Sequence, residues 1–255
     1  MKLNFDQYGD DPSKKLLIIL HGLYGSASNF RGLAKIYAAD FNVYCLDLRN
    51  HGSSPHSDQM SYPLMAADVI EFMDDQNLEK AHILGHSMGG KTAMQIALHF
   101  PDRVDKLVVG DIAPVVYPHH HERIFEGLQA IPLDQISSRG EADKILSQYV
   151  DEAGVRLFLL TNLVRNDEGI FQWRINLPVL IREYEHISAA PDGTPFDGET
   201  LFIRGDRSDY VSDDYVPEIL ALFPNAKIET IDHCGHWLHS EKPKEFSKLL
   251  LDFLK

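Results

Sequence analysis

The sequence predicts an α/β fold in which a mainly parallel central sheet carries helices on both faces and an inserted helical segment interrupts the alternation. Three observations lead there. Runs such as Leu16-Leu17-Ile18-Ile19-Leu20 and Lys106-Leu107-Val108-Val109-Gly110 are apolar almost throughout, as strands covered on both faces would be. Stretches with apolar residues at helical spacing separate them, and strand-helix alternation at short intervals argues for parallel pairing. From about 113 to 191 that rhythm breaks, and helical stretches follow one another with no long buried strand between them.

Leu3 to Phe5 reads as the first strand, turned back by Gly9-Asp10-Asp11-Pro12-Ser13 into Leu16 to Leu20. The second strand ends in His21-Gly22-Leu23-Tyr24-Gly25, and Ser26-Ala27-Ser28-Asn29 opens a helix. Asn42 to Leu46 is the next strand, running into a loop organised by Asp47, Arg49 and His51. A helix from about Ser61 to Gln76 places Met65, Val69, Phe72 and Met73 on one face, a stripe that reads as core packing. Ala81-His82-Ile83-Leu84 is a strand and Lys91 to Leu98 a helix, with a sharp turn between them. Lys106 to Gly110 closes on Asp111-Ile112-Ala113-Pro114. Helical stretches then fall near 122–130, 141–150, 155–163 and 180–184, with Phe171-Gln172-Trp173-Arg174 among them. The sheet resumes with Thr200 to Arg204, a helix near 213–223 and Ala226 to Ile231. A last helix, Pro243 to Leu254, aligns Phe246, Leu249, Leu250 and Phe253. The expected organisation is a core of residues 1–112 and 192–255 with a helical cap of residues 113–191.

Composition narrows the function. With 255 residues the chain can bury a large core, and 44% hydrophobic with 24% charged residues is ordinary for a globular protein. Its 38 acidic against 24 basic residues give a formal charge of −14, which repels nucleic-acid phosphates and anionic lipid. Nucleic acid is therefore not an expected partner. Cys45 and Cys234 are read as free thiols of a reducing compartment. The N-terminal Met1-Lys2-Leu3-Asn4-Phe5-Asp6 has no signal-peptide pattern, and no apolar run approaches the roughly 18 residues of a membrane span, so a cytoplasmic location is expected.

The turn between Leu84 and Lys91 carries the chemistry. Gly85-x-Ser87-x-Gly89 between a strand and a helix forces the serine into a strained conformation, holding its hydroxyl clear of the sheet at a helix start. Backbone N–H groups there favour charge developing on a bound carbonyl oxygen. His21, Asp47, Ser87 and Asp111 all fall at carboxyl ends of predicted strands, where such sheets place their sites.

His21-Gly22, Asp47-x-Arg49-x-His51-Gly52-x-Ser54, Gly85-His86-Ser87-Met88-Gly89-Gly90 and Gly235-His236, in that order, resemble the α/β-hydrolases. Met88-Gly89-Gly90-Lys91 followed by Asp111-Ile112-Ala113-Pro114 and a helical segment is most similar to the YbfF-type esterases. The resemblance implies a cofactor-independent serine hydrolase acting on small-molecule carboxylic esters, and on acyl thioesters such as those of coenzyme A, through an acyl-enzyme. Cleavage of a carbon-carbon bond in a diketone-like substrate, and a small-molecule receptor that keeps the triad, are the alternatives. Haloalkane dehalogenation is disfavoured, because it needs an aspartate where Ser87 stands.

A serine hydroxyl needs a base within hydrogen-bond reach and a group to orient that base. His236, after the last strand and freed by Gly235, is the expected base. The superfamily usually places its acid in Gly-x-x-Asp after the penultimate strand, but Gly205-Asp206-Arg207-Ser208 has a serine there. Asp111, ending the strand after the elbow helix, occupies the other position the superfamily uses. It is favoured over Asp206 and Asp209. The backbone N–H groups of Leu23 and Met88 are the expected oxyanion donors. Tyr24, Phe158, Trp173 and Trp237 are candidate acyl-pocket residues, with core packing the alternative. His119-His120-His121 and His233-Cys234-Gly235-His236 lack the spacing of a metal site, so neither metal nor cofactor is expected, and the triple histidine reads as a polar turn.

Overall fold

A computed structural model describes residues 1–119 and 121–255. The core is a sheet of seven strands: β1 (Phe5–Tyr8), β2 (Lys15–Leu20), β3 (Phe41–Leu46), β4 (Ala81–His86), β5 (Val104–Gly110), β8 (Thr200–Gly205) and β9 (Ala226–Ile231). Their order is β1-β3-β2-β4-β5-β8-β9. β1 pairs antiparallel with β3 and every other pair in this sheet is parallel.

Helices α1 (Arg31–Tyr37), α2 (Tyr62–Asp75) and α3 (Met88–His99) connect the first strands, and α9 (Val216–Leu222), α10 (Leu238–Glu241) and α11 (Pro243–Leu254) accompany the last. Alternate residues of each central strand feed opposite faces. Ile18, Leu20, Ile83, Leu107 and Val109 meet Met65, Val69, Phe72 and Met73 of α2 and Met94 of α3. Leu17, Ile19, Leu84 and Val108 meet Leu33 and Tyr37 of α1 and Phe246 and Leu250 of α11. Both faces are covered, which is why these strands read as unbroken apolar runs; each such side chain contributes about 1.5–3 kcal/mol on burial.

From β2 the chain steps to β3 on one side and then returns to β4 on the other. The loops leaving β2 and β4 therefore diverge, opening a crevice beyond their carboxyl ends.

Between β5 and β8 the chain leaves the sheet and forms α4 (Glu122–Gln129), α5 (Arg139–Leu146), α6 (Ala153–Leu160), α7 (Leu177–Arg182) and α8 (Tyr184–Ser188). The excursion also contains β6 (Leu163–Arg165) and β7 (Phe171–Trp173), an antiparallel hairpin that the sequence pattern did not reveal. Strands of three residues are too short to show alternation. The turn chemistry was present: Asn166 Oδ1 accepts from the N–H groups of Glu168 and Ile170, and Gly169 has φ 79°. The first strand begins at Phe5, the last residue of its expected range, and runs on to Tyr8. Among the described residues no helix is long and apolar enough to cross a membrane, and Cys45 and Cys234 are buried and free.

Lys91, four residues beyond Ser87 on α3, ties the excursion to the core. It is 1% exposed, and its ammonium donates to the carbonyls of Val115 (2.7 Å), Ser188 (3.0 Å) and Ala189 (2.6 Å). It also lies over the Tyr117 ring, 4.6 Å from the centroid. Burial pushes its pKa down to about 7, while the three carbonyl dipoles and the ring face favour the charge. One side chain thus holds both the outgoing and returning chain. Replacing it with Met leaves these carbonyls without their donor, at a cost of about 2–4 kcal/mol. Lys91→Met is expected to lower the thermal midpoint by roughly 5–15 °C, read by circular dichroism; an unchanged midpoint would show that the tie carries no stability.

Candidate active site

Ser87 occupies the turn between β4 and α3 with φ 53° and ψ −121°, outside the regions open to most L residues. The turn is possible because its neighbours lack side chains. A Cβ on Gly85 would stand 2.1 Å from the Gly89 carbonyl oxygen, and one on Gly89 would stand 2.3 Å from that of Leu20. The Ser87 N–H donates to Gly110 O at 2.9 Å, fastening the elbow to β5. Ser87 lines a cavity of about 470 Å³.

The loop leaving β2 lies against this elbow. An added Cβ at Gly22 would be 3.2 Å from Ser87 Cβ, so the backbone at Gly22 runs directly beside Ser87. His21 and His51 hold it there. His51 donates from Nδ1 to Arg49 O (2.9 Å) and accepts the Tyr24 N–H at Nε2 (3.2 Å). His21 donates from Nδ1 to Gly22 O (2.8 Å) and accepts the Leu48 N–H at Nε2 (3.0 Å). Each imidazole accepts at one nitrogen, so each must be neutral. Asp47 gathers the Ala27 N–H (2.7 Å), the Ser53 N–H (2.8 Å) and the Asn4 side-chain amide (2.8 Å). Arg49 pairs with Asp68 at 2.6 Å. This network orders the loop in which the Leu23 N–H stands. Among the described residues neither that N–H nor the Met88 N–H, first in α3, donates to a protein acceptor.

His236 follows β9 and is held from several directions. Glu241 accepts the N–H groups of Gly235 (2.8 Å) and Trp237 (3.2 Å), and His86 Nε2 donates to the His236 carbonyl (2.8 Å). The Tyr210 ring stacks on the imidazole, with centroids 4.2 Å apart. Nδ1 of His236 donates to Asp111 Oδ2 at 2.7 Å, a tautomer that leaves Nε2 as the acceptor. Ser87 and His236 line the same cavity.

Asp111 is fully buried at the end of β5, with φ 50°. Its Oδ1 accepts the Gly205 N–H (3.1 Å), and its Oδ2 also accepts the Ser208 hydroxyl. Asp206 is turned away, capping the Cys234 N–H (3.0 Å), and Asp209 is exposed without a bond to His236. The serine of Gly205-Asp206-Arg207-Ser208 faces the Asp111 carboxylate from the neighbouring strand and supplies a donor to it.

Of the candidate pocket residues, Tyr24, Phe158 and Trp237 line the cavity. Trp173 does not. It lies on β7, paired with Leu163 across the hairpin and packed on the core, so the packing alternative holds for it. His121 Nδ1 bonds the Tyr184 hydroxyl and His119 lies 4.0 Å from Glu122, while His120 lies outside the described residues. Sequence reasoning missed Ser208, Tyr210 and Glu241 as partners of the His236–Asp111 pair. Only Ser208 left a signal, by standing where an aspartate was due.

A family profile described as "Alpha/beta hydrolase family" matches residues 17–249. The chain is 39% identical over 261 residues to Esterase YbfF of Escherichia coli (strain K12), covering all of this chain and 99% of that protein. It is 41% identical over 263 residues to the Mus musculus protein named sn-1-specific diacylglycerol lipase ABHD11, covering 100% of this chain and 85% of the relative. Among solved structures it superposes on one described as a marine microorganism esterase with a TM-score of 0.96 and 42% identity, over 99% of both chains.

Burial keeps four histidines around the site neutral. Desolvation lowers His21 and His86, brings His239 to about 4 and takes His51 to about 3. Below about pH 6.5 the unfolded chain binds protons that the folded chain excludes, so stability is fully present above that pH. It is lost as pH falls toward each folded value. Each histidine adds up to about 1.4 kcal/mol per pH unit in that window. Urea unfolding at pH 7, 6 and 5 should therefore give a falling midpoint, with a shallower fall in His239→Phe, which keeps the stacking on Phe30. Equal slopes in both proteins would contradict the assignment.

Proposed function

We propose that this chain, which belongs to the alpha/beta hydrolase family, is a serine esterase that hydrolyses carboxylic esters with Ser87, His236 and Asp111 as its triad. The observation that carries the reading is the 2.7 Å bond from His236 Nδ1 to a fully buried Asp111 carboxylate, on an imidazole that lines the same cavity as Ser87. Relatives and a solved structure named as esterases, at 39–42% identity over essentially the whole chain, support the reaction class.

In this mechanism Ser87 Oγ attacks the ester carbonyl carbon as its proton passes to His236 Nε2. Negative charge develops on the carbonyl oxygen, and the N–H groups of Leu23 and Met88 receive it. Removing one such donor typically costs about 3–4 kcal/mol of transition-state stabilisation. The tetrahedral intermediate expels the alcohol, which takes the proton from His236, and leaves an acyl group on Ser87. Water then attacks with His236 as base and the acid departs. Asp111 holds the imidazole in the productive tautomer and stabilises its cationic form. Residues 113–191 act as a cap over the cavity. Acyl thioesters fall within the same chemistry, because the leaving thiol takes its proton from the same nitrogen.

Kinetics on a short p-nitrophenyl ester test the assignment. Ser87→Ala is expected to abolish turnover, and Asp111→Asn to lower kcat by on the order of 10³–10⁴. Asp206→Asn and Asp209→Asn should keep most of the activity. Turnover that survives Ser87→Ala would reject the nucleophile. An Asp206 or Asp209 variant as damaged as Asp111→Asn would move the acid to the later loop.

A further inference from the structure

Asn162 stands between α6 and β6 in the excursion from the sheet, and it is fully buried. Its Nδ2 donates to the Tyr24 carbonyl at 2.7 Å and to the Leu159 carbonyl at 3.3 Å. Both partners are acceptors, which fixes the way round that the amide lies. Among the described residues its Oδ1 then meets no donor. A buried acceptor without a partner costs stability, and a leucine of similar volume would carry no such cost. Packing alone therefore does not account for an asparagine at this place; the bond to Tyr24 is what the amide contributes.

That bond begins a series. The Gly25 N–H belongs to the same peptide unit as the Tyr24 carbonyl, and it donates to Gly22 O at 2.9 Å. Gly22 O in turn shares its peptide unit with the Leu23 N–H. A trans peptide points its C=O and N–H in opposite directions, so the groups run head to tail from the Asn162 amide to the Leu23 N–H. Each bond in such a series polarises and strengthens the next. The Gly25–Gly22 bond closes a four-residue turn with Tyr24 third, at φ 64°, where glycine is usual. His51 holds the N–H of this strained residue and Asn162 its carbonyl. Asn162 is not among the residues lining the cavity, whereas Gly22, Leu23 and Ser87 are. We propose that Asn162 is a positioning residue for the oxyanion site: through this series it aligns and polarises the Leu23 N–H without touching substrate or triad. The inference rests on the esterase reading above, with Leu23 as one of its donors. It gives a residue outside the sheet domain a part in the chemical step, not in substrate binding.

Steady-state kinetics on a short p-nitrophenyl ester test it, together with the affinity for an alkyl boronic acid, whose adduct with a serine sets a negative tetrahedral centre in the oxyanion site. Asn162→Leu is expected to lower kcat by about tenfold while KM stays within about twofold. The loss is smaller than the roughly 10²–10³ that follows removal of an oxyanion donor itself, because His21 still donates to Gly22 O. Boronic-acid affinity should fall by the same factor as kcat. A fluorophosphonate should still label Ser87 to full stoichiometry at long times, which shows that the active fraction is intact. Asn162→Ser, whose hydroxyl is one bond too short to replace the amide, should behave alike, and it carries the test if the leucine variant does not fold. Native kcat and boronic-acid affinity in a folded variant, or a loss confined to KM, would overturn the positioning role and leave the esterase reading intact. A native protein that hydrolyses no such ester would overturn both.

Discussion

A buried carboxylate is the constraint on which the site depends. Asp111 is fully removed from solvent, and an ion in that position is tolerated only where donors replace the water it has lost. It has three: the Gly205 N–H, the Ser208 hydroxyl and the His236 imidazole. They come from the end of β8, the loop after it and the loop after β9. Satisfying this one charge therefore fixes three segments of the later half of the chain relative to β5. Because Ser87 N–H is itself bonded to Gly110 O, the residue before Asp111, the turn carrying Ser87 is fastened to the same strand end. The non-glycine residues Tyr24, Ser87 and Asp111 all have φ between 50° and 64°. Strain of that kind persists only where surrounding bonds over-determine it.

Lys91 performs the equivalent task for the excursion between β5 and β8. A helical turn beyond Ser87, its ammonium collects carbonyls from both places where the chain leaves and rejoins the sheet domain. Asn162 adds a second tie, donating to Tyr24 O at 2.7 Å. Tyr24 is thus held by Asn162 at its carbonyl and by His51 at its N–H, next to the Leu23 N–H.

Much of this arrangement was legible in the sequence, and the limits have physical causes. Central strands such as Leu16 to Leu20 were readable because burial on both faces removes every polar residue. The elbow was readable because its backbone approach excludes any side chain at Gly85 and Gly89. That Asp111, and neither Asp206 nor Asp209, meets His236 was within reach, since strand ends converge at one edge of a parallel sheet. The partners of that pair were not. Ser208, Tyr210 and Glu241 are placed by loop conformations that no periodicity records. Trp173 shows the same limit: as a large aromatic in a helical segment it looked like pocket lining, but a three-residue hairpin turns it into packing. The fate of a side chain in an irregular segment depends on tertiary contacts, which local pattern does not encode.

The account's central claim is that one hydroxyl, Ser87, is activated by His236 in the orientation that Asp111 imposes. Reaction with a fluorophosphonate, followed by mass spectrometry of the proteolysed protein, examines this without assuming a substrate. The account predicts a stoichiometric adduct on the peptide containing Ser87, forming far more slowly in His236→Gln. An adduct on another residue, or folded native protein that forms none, would contradict it.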